Sequence, residues 1–152
     1  MSLEIERKFL VIGKSYRERA LEVHIIHQAY ICREPDRTVR VRIFDNQGFI
    51  TIKTRNKGTV RNEWEYEIPV DDARYMIGGV CHSGVISKHR YVIDAGNGLR
   101  WEVDEFDGSL SGTILAEIEL PDENTPFELP DFIGEEVTDD PRYFNSALST
   151  QV

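Results

Sequence analysis

Apolar and charged residues alternate with a period of two along most of this chain, as in Glu4-Ile5-Glu6-Arg7-Lys8-Phe9 and Val39-Arg40-Val41-Arg42-Ile43. Successive side chains on a strand point to opposite faces, so this alternation predicts strands with one apolar and one charged face. Eight runs show it, at residues 3–12, 24–33, 37–44, 48–54, 60–68, 85–94, 98–106 and 113–120. Turn-forming clusters separate several of them: Asp45-Asn46-Gln47-Gly48, Asn56-Lys57-Gly58, Ala95-Gly96-Asn97-Gly98 and Asp107-Gly108. They favour hairpins between antiparallel neighbours. The rhythm breaks at 15–21 and again at 71–77, where Asp71 or Asp72 is placed to cap a helix. Each half then reads strand, helix, three strands, the spacing of a duplicated unit. From Phe127 onward the pattern predicts loop and then a last helix over 141–149, with Pro141 at its first position. The sequence does not choose whether that helix closes one end of the fold or packs outside it.

Strand parity sorts the charges. Glu4, Glu6 and Lys8 share a face opposite Ile5 and Phe9. Arg40 and Arg42 oppose Val39, Val41 and Ile43, and Lys53 opposes Ile50 and Ile52. Arg61, Glu63, Glu65 and Glu67 oppose Trp64, Tyr66 and Ile68. Lys88 and Arg90 oppose Tyr91 and Ile93, Glu102 and Asp104 oppose Trp101 and Val103, and Glu117 and Glu119 oppose Ala116, Ile118 and Leu120. A single such strand is an ordinary solvated face. Here basic groups recur on some strands and acidic groups on others, and that segregation suggests a template. The fold class expected is α+β: an eight-stranded antiparallel barrel with a few helices covering an apolar outer surface and the charges lining the lumen. Desolvating so many charges costs several kcal/mol per ion unless each is partnered, so a ligand of matching charge is the natural reason for the lining. Carboxylates suit hard cations such as Mg2+ and Mn2+, and Lys and Arg suit phosphate oxygens. The combination describes a metal-bound polyphosphate.

Composition narrows the function classes. A chain of 152 residues that is 40% hydrophobic is sized for one domain with its own core, expected over 1–152. Its formal charge of -9 argues against general binding to nucleic acid or an anionic membrane. The opening MSLEIERKFLV carries charge where a signal peptide needs an apolar stretch, so a cytoplasmic location is expected. Cys32 and Cys81 show no zinc or disulfide spacing, and His24, His27 and His82 form no ligand pattern.

The motifs resemble those of small bacterial CYTH-domain proteins of the triphosphate tunnel metalloenzyme superfamily. The likeness rests on Glu4-x-Glu6-x-Lys8, on Val39-Arg40-Val41-Arg42 and on Thr51-Ile52-Lys53. Arg61 with Glu63-Trp64-Glu65-Tyr66-Glu67, Lys88-His89-Arg90-Tyr91, Trp101-Glu102-Val103-Asp104 and Ala116-Glu117-Ile118-Glu119-Leu120 follow in family order. The resemblance implies metal-dependent cleavage of a triphosphate compound within an eight-stranded tunnel. It also implies that Glu4, Glu6, Glu117 and Glu119 hold Mg2+ or Mn2+, with Glu63, Glu65 and Asp104 as further candidates. Lys8, Arg40, Arg42, Lys53, Lys88 and Arg90 would hold phosphate oxygens, and Arg61 sits at a position often used similarly. Tyr30 matches a position from which a tyrosine can cooperate with Lys8 in activating water; filling space at the tunnel wall is the equal alternative. A phenol needs cationic neighbours to serve as a base. Two departures are Ala29 and His89, the latter expected to face away from the lumen with Tyr91.

A triphosphatase acting on inorganic triphosphate or a small organic triphosphate is the leading expectation. The alternatives are a class IV-type adenylyl cyclase, for which no adenine site is marked, and a non-catalytic polyphosphate or nucleotide sensor, which would not need so many carboxylates. An interaction module using outward Trp64 and Trp101 predicts an exposed apolar patch; covering helices or a homodimer contact account for those residues equally well.

Overall fold

The computed structural model describes residues 2–55, 57 and 59–152. The alternating runs form β1 (Ser2–Val11), β2 (Glu22–Glu34), β3 (Arg37–Phe44), β4 (Gln47–Thr54) and β5 (Val60–Ile68). They are followed by β6 (Ile86–Gly96), β7 (Leu99–Phe106) and β8 (Ile114–Glu119). Neighbours are antiparallel in the order β5-β4-β3-β2-β6-β7-β8-β1, and pairing of β1 with β5 closes the ring into an eight-stranded barrel. Both central residues of the Asn97-Gly98 turn have positive φ, 54° and 78°, the geometry that lets a two-residue hairpin follow strand twist. Asn56 and Gly58 of another expected turn lie outside the described residues.

Helix α1 (Tyr16–Arg19) is shorter than the expected 15–21, and its Tyr16 ring is fully buried. Helix α2 (Val70–Gly79) lays Ala73, Met76 and Ile77 over Val41 and Ile43 on the outside of β3. Neither Asp71 nor Asp72 caps it: Pro69 holds the N-cap position, and both acids lie in the first turn, where they complement the helix dipole. The repeat is visible as β1-α1-β2-β3-β4 followed by β5-α2-β6-β7-β8.

The tail departs most from expectation. A ninth strand, β9 (Ile133–Glu136), pairs with β1 through Phe9 and Val11, continuing the edge that β5 occupies at residues 2–5. Four residues ending in Glu135-Glu136 carry too little alternation to be read as a strand; the open edge of β1 recruits them. The expected helix over 141–149 is broken. Pro141–Tyr143 forms one 3-10 turn, Phe144 is extended at φ -69°, ψ 139°, and α3 (Asn145–Leu148) follows. This segment crosses one end of the barrel. There Leu148 packs with Ile86, Phe106 and Leu115, which share faces with the lumen charges, so that end of the interior is an apolar plug.

On the outside, Trp101 is buried in edge-to-face contact with Phe9, Phe127 and Phe132 at 5.5, 5.7 and 6.4 Å. The chain's own 120–132 segment therefore covers Trp101. Trp64 stays half-buried on β5, next to exposed Tyr66. Trp101→Ala removes the centre of the aromatic cluster and is expected to cost about 3–5 kcal/mol, measured by urea denaturation. No helix among the described residues is long and apolar enough to cross a membrane.

Candidate active site

Closing the barrel turns one parity of every strand inward, and the expected charges meet there. Glu4, Lys8, Arg40, Arg42, Lys53, Lys88, Arg90 and Asp104 are all buried. Two adjoining cavities occupy the lumen. Lys8 and Tyr30 line the first, Glu117 and Glu119 the second, and Glu6, Arg40, Lys53 and Arg61 border both. Glu65 and Glu119 are exposed at the open mouth. Glu67 is exposed, and His89 turns outward to Asp107 at 3.1 Å, as its parity predicts.

The side chains form linked ion pairs. Lys53 Nζ lies 2.9 Å from Glu4 and 3.4 Å from Glu63. Arg61 donates to Glu4 at 2.8 Å and to Glu6 at 3.3 Å. Arg90 grips Asp104 with two hydrogen bonds of 2.8 and 2.9 Å and reaches Glu102 at 3.1 Å, while Lys88 meets Asp104 at 2.8 Å. Lys8 pairs with Glu117 at 3.4 Å and donates to the Tyr143 carbonyl at 2.9 Å, tying β1 to the C-terminal segment. Thr51 donates to Glu65 at 2.7 Å and accepts from Arg40 at 3.3 Å.

Arg42 is different. Among the described residues its Nε and Nη2 donate only to the neutral Gln28 Oε1, at 2.9 and 2.7 Å. Burial, with Arg40 and Arg90 nearby, pushes its guanidinium down to about 9. Arg40 Nε and Gln28 Nε2 are buried without a hydrogen-bond partner among the described residues. Arg40 reaches Glu65 at 3.7 Å through Nη2, but the centre of the lumen keeps buried donor atoms that the described residues leave unused, the arrangement that invites an anion. Burial also pushes Lys88 down, to about 7, although Asp104 opposes the shift.

The carboxylates divide in two. Burial raises Glu4, Glu117 and Asp104, but the cations beside each outweigh it and hold all three well below the usual range: Lys53 and Arg61 for Glu4, Lys8 for Glu117, Arg90 for Asp104. Burial, with Glu117 and Glu4 close by, instead pushes Glu6 up to about 8. Burial and a hydrogen bond to Glu4 push Glu63 up to about 7, and Glu119 is raised by burial with Glu4 and Glu102. No three such groups form a ready metal cage among the described residues. The set nonetheless fits a hard cation: all its donors are carboxylate oxygens, and Glu6 with Glu117, like Glu4 with Glu63, lies close enough to share a proton. That is an excess of negative charge that a divalent ion would relieve.

Gln28 and Thr51, both fully buried, belong to this lumen and were legible by parity from Tyr30 and Lys53. Arg33 was not, because the register of β2 shifts between Tyr30 and Cys32.

An antiparallel tunnel lined by segregated basic and acidic side chains defines a class of anion-binding barrels. The CYTH domain profile matches residues 2–148, and the chain belongs to the CYTH domain family, which implies a divalent metal. An inorganic triphosphatase from Acetivibrio thermocellus is 49% identical over 97% of this chain and 94% of its own length. Another, from Nitrosomonas europaea, is 34% identical over 98% of each. A crystal structure described as that of an inorganic triphosphatase superposes with a TM-score of 0.68 at 32% identity, covering 100% of this chain and 97% of that one.

Proposed function

We propose that this protein, acting as one domain over 1–152, hydrolyses a phosphoanhydride bond of inorganic triphosphate in the lumen with the help of Mg2+ or Mn2+. The observation that carries the reading is Arg42, a buried guanidinium held in place by a neutral amide and flanked by the unsatisfied Arg40 Nε. A carboxylate there would have made a closed ion pair; Gln28 orients the fork and leaves its charge for a ligand. Relatives named as inorganic triphosphatases at 49% and 34% identity support the choice of substrate.

In this reading Arg40, Arg42, Lys53, Arg61, Lys88, Arg90 and Lys8 bind phosphate oxygens and spread the charge that develops on the transferred phosphoryl group. Glu4, Glu6, Glu117 and Glu119 hold the metal, with Glu63 and Glu65 toward the open mouth and Asp104 below. Asp104 must share itself with Arg90 and Lys88. When bound, the divalent ion supplies Lewis acidity at phosphate oxygens. Lys8 and Tyr30, on one cavity wall, position the attacking water.

The test is phosphate release from inorganic triphosphate, ATP and thiamine triphosphate, each with Mg2+ or Mn2+, beside an assay for cyclic AMP. Turnover dominated by inorganic triphosphate is expected. Pyrophosphate plus cyclic AMP from ATP would instead make this a cyclase, and binding without any product would make it a sensor.

A further inference from the structure

A groove leading into the lumen past the C-terminal segment carries positive charge that the proposed chemistry does not use. β2 and β3 pair regularly as far as Tyr30 with Arg40; the register then shifts, and pairing resumes with Cys32 opposite Val39 and Arg33 opposite Thr38. At this bulge β2 has left β6, and its backbone is held by Ser83 Oγ on the Tyr30 amide and by the His82 amide on the Tyr30 carbonyl. The extra residue puts Arg33, rather than Cys32, on the lumen face beside Tyr30.

Arg33 is half-buried, and its Nη1 donates to Ser149 Oγ at 2.9 Å. Among the described residues it has no carboxylate at ion-pair distance, and neither does Arg55, which reaches only the Pro35 carbonyl at 3.4 Å. Both line one groove, and Thr38, Arg61, Phe144 and Ser146 line both that groove and the cavity of Lys8 and Tyr30. The other charges on the groove are accounted for: Arg37 pairs with Asp36, Arg61 with Glu4 and Glu6, and Glu34 and Asp139 are the acids present. The other end of the barrel carries Glu22, Glu102 and Glu119 together with His24 and Arg100; Arg100 pairs there with Glu22 at 3.4 Å and Arg90 reaches Glu102 at 3.1 Å.

We propose that Arg33 and Arg55 form an outer phosphate subsite at the basic mouth, binding the end of a polyphosphate anion that the lumen side chains leave uncovered. The proposal rests on the triphosphate reading of the lumen. In Arg33→Met the KM for inorganic triphosphate rises about tenfold with kcat within twofold, and kcat/KM loses part of its salt dependence. Ser149→Ala removes the hydrogen bond to the C-terminal segment but keeps the charge, and retains the parent KM. A parent-like KM in Arg33→Met at low salt, or an equal KM increase in Ser149→Ala, would reduce Arg33 to an anchor and overturn the proposal. Calorimetric titration with sodium tripolyphosphate separates this subsite from the hydrolysis reading. If the parent binds without turnover and Arg33→Met binds tenfold more weakly, hydrolysis fails and the subsite stands. If the parent hydrolyses and both bind equally, the subsite alone fails; if the parent binds no tripolyphosphate, both fail.

Discussion

Arg42→Met is expected to weaken triphosphate binding roughly 100-fold or more while leaving the ligand-free protein at least as stable as its parent. Removing one member of a buried, charge-assisted contact costs a complex about 2–5 kcal/mol. The stability result follows from the sign of the shift. Burial beside Arg40 and Arg90 lowers the Arg42 guanidinium to about 9, so the folded chain holds that proton less tightly than the unfolded chain does. The charged form is penalised at every pH below about 9, and the penalty fades as pH climbs toward the ordinary arginine range. Methionine removes the penalty but leaves Gln28 Oε1 without donors, which costs about 1–3 kcal/mol in return. The net is a gain of about 1–2 kcal/mol or no change near pH 7. Thermal melts with and without tripolyphosphate check both halves. A variant that melts early yet is still protected by the anion would place Arg42 in the scaffold rather than in the site.

Glu6→Gln is expected to raise the metal concentration needed for half-maximal hydrolysis by more than tenfold, and again to spare the fold. Burial, Glu117 and Glu4 raise the Glu6 carboxyl to about 8, so the folded state favours its protonated form more than the unfolded state does. The stability Glu6 contributes is complete below the unfolded carboxylate range and is lost as pH rises through about 8. The amide mimics the protonated acid. At pH 8.5 the ligand-free variant should therefore exceed its parent by about 1–2 kcal/mol, with the difference vanishing near pH 5. Metal must displace the same proton, so in the parent the apparent metal affinity should climb between about pH 6.5 and 8.5, a slope Glu6→Gln should flatten. Equal metal dependence in both proteins would remove Glu6 from the ligand set.

The same alternation that made the strands legible made the lumen legible. In Glu4-Ile5-Glu6-Arg7-Lys8 the period of two states both that the segment is a strand and which side chains travel together. Parity also put His89 outside. It failed where parity itself was interrupted. The bulge after Tyr30 exchanges the faces of Cys32 and Arg33, and neither residue type marks it, because a bulge is set by what the strand pairs with on each side. β9 forms because β1 outlasts β5 and leaves an edge to fill, a fact held by two distant segments. The break at Phe144 lets the tail turn across the barrel end and bury Leu148 against Ile86 and Phe106.

The sequence by itself determined eight strands, the two-faced character of seven of them and which charges share each of those faces, because these depend only on local periodicity. Closure of the ring through β1 and β5 decided which cation meets which carboxylate. It left Arg42 with a neutral partner and Glu6 with two negative neighbours, since ion pairing and desolvation depend on distances between strands far apart in the chain.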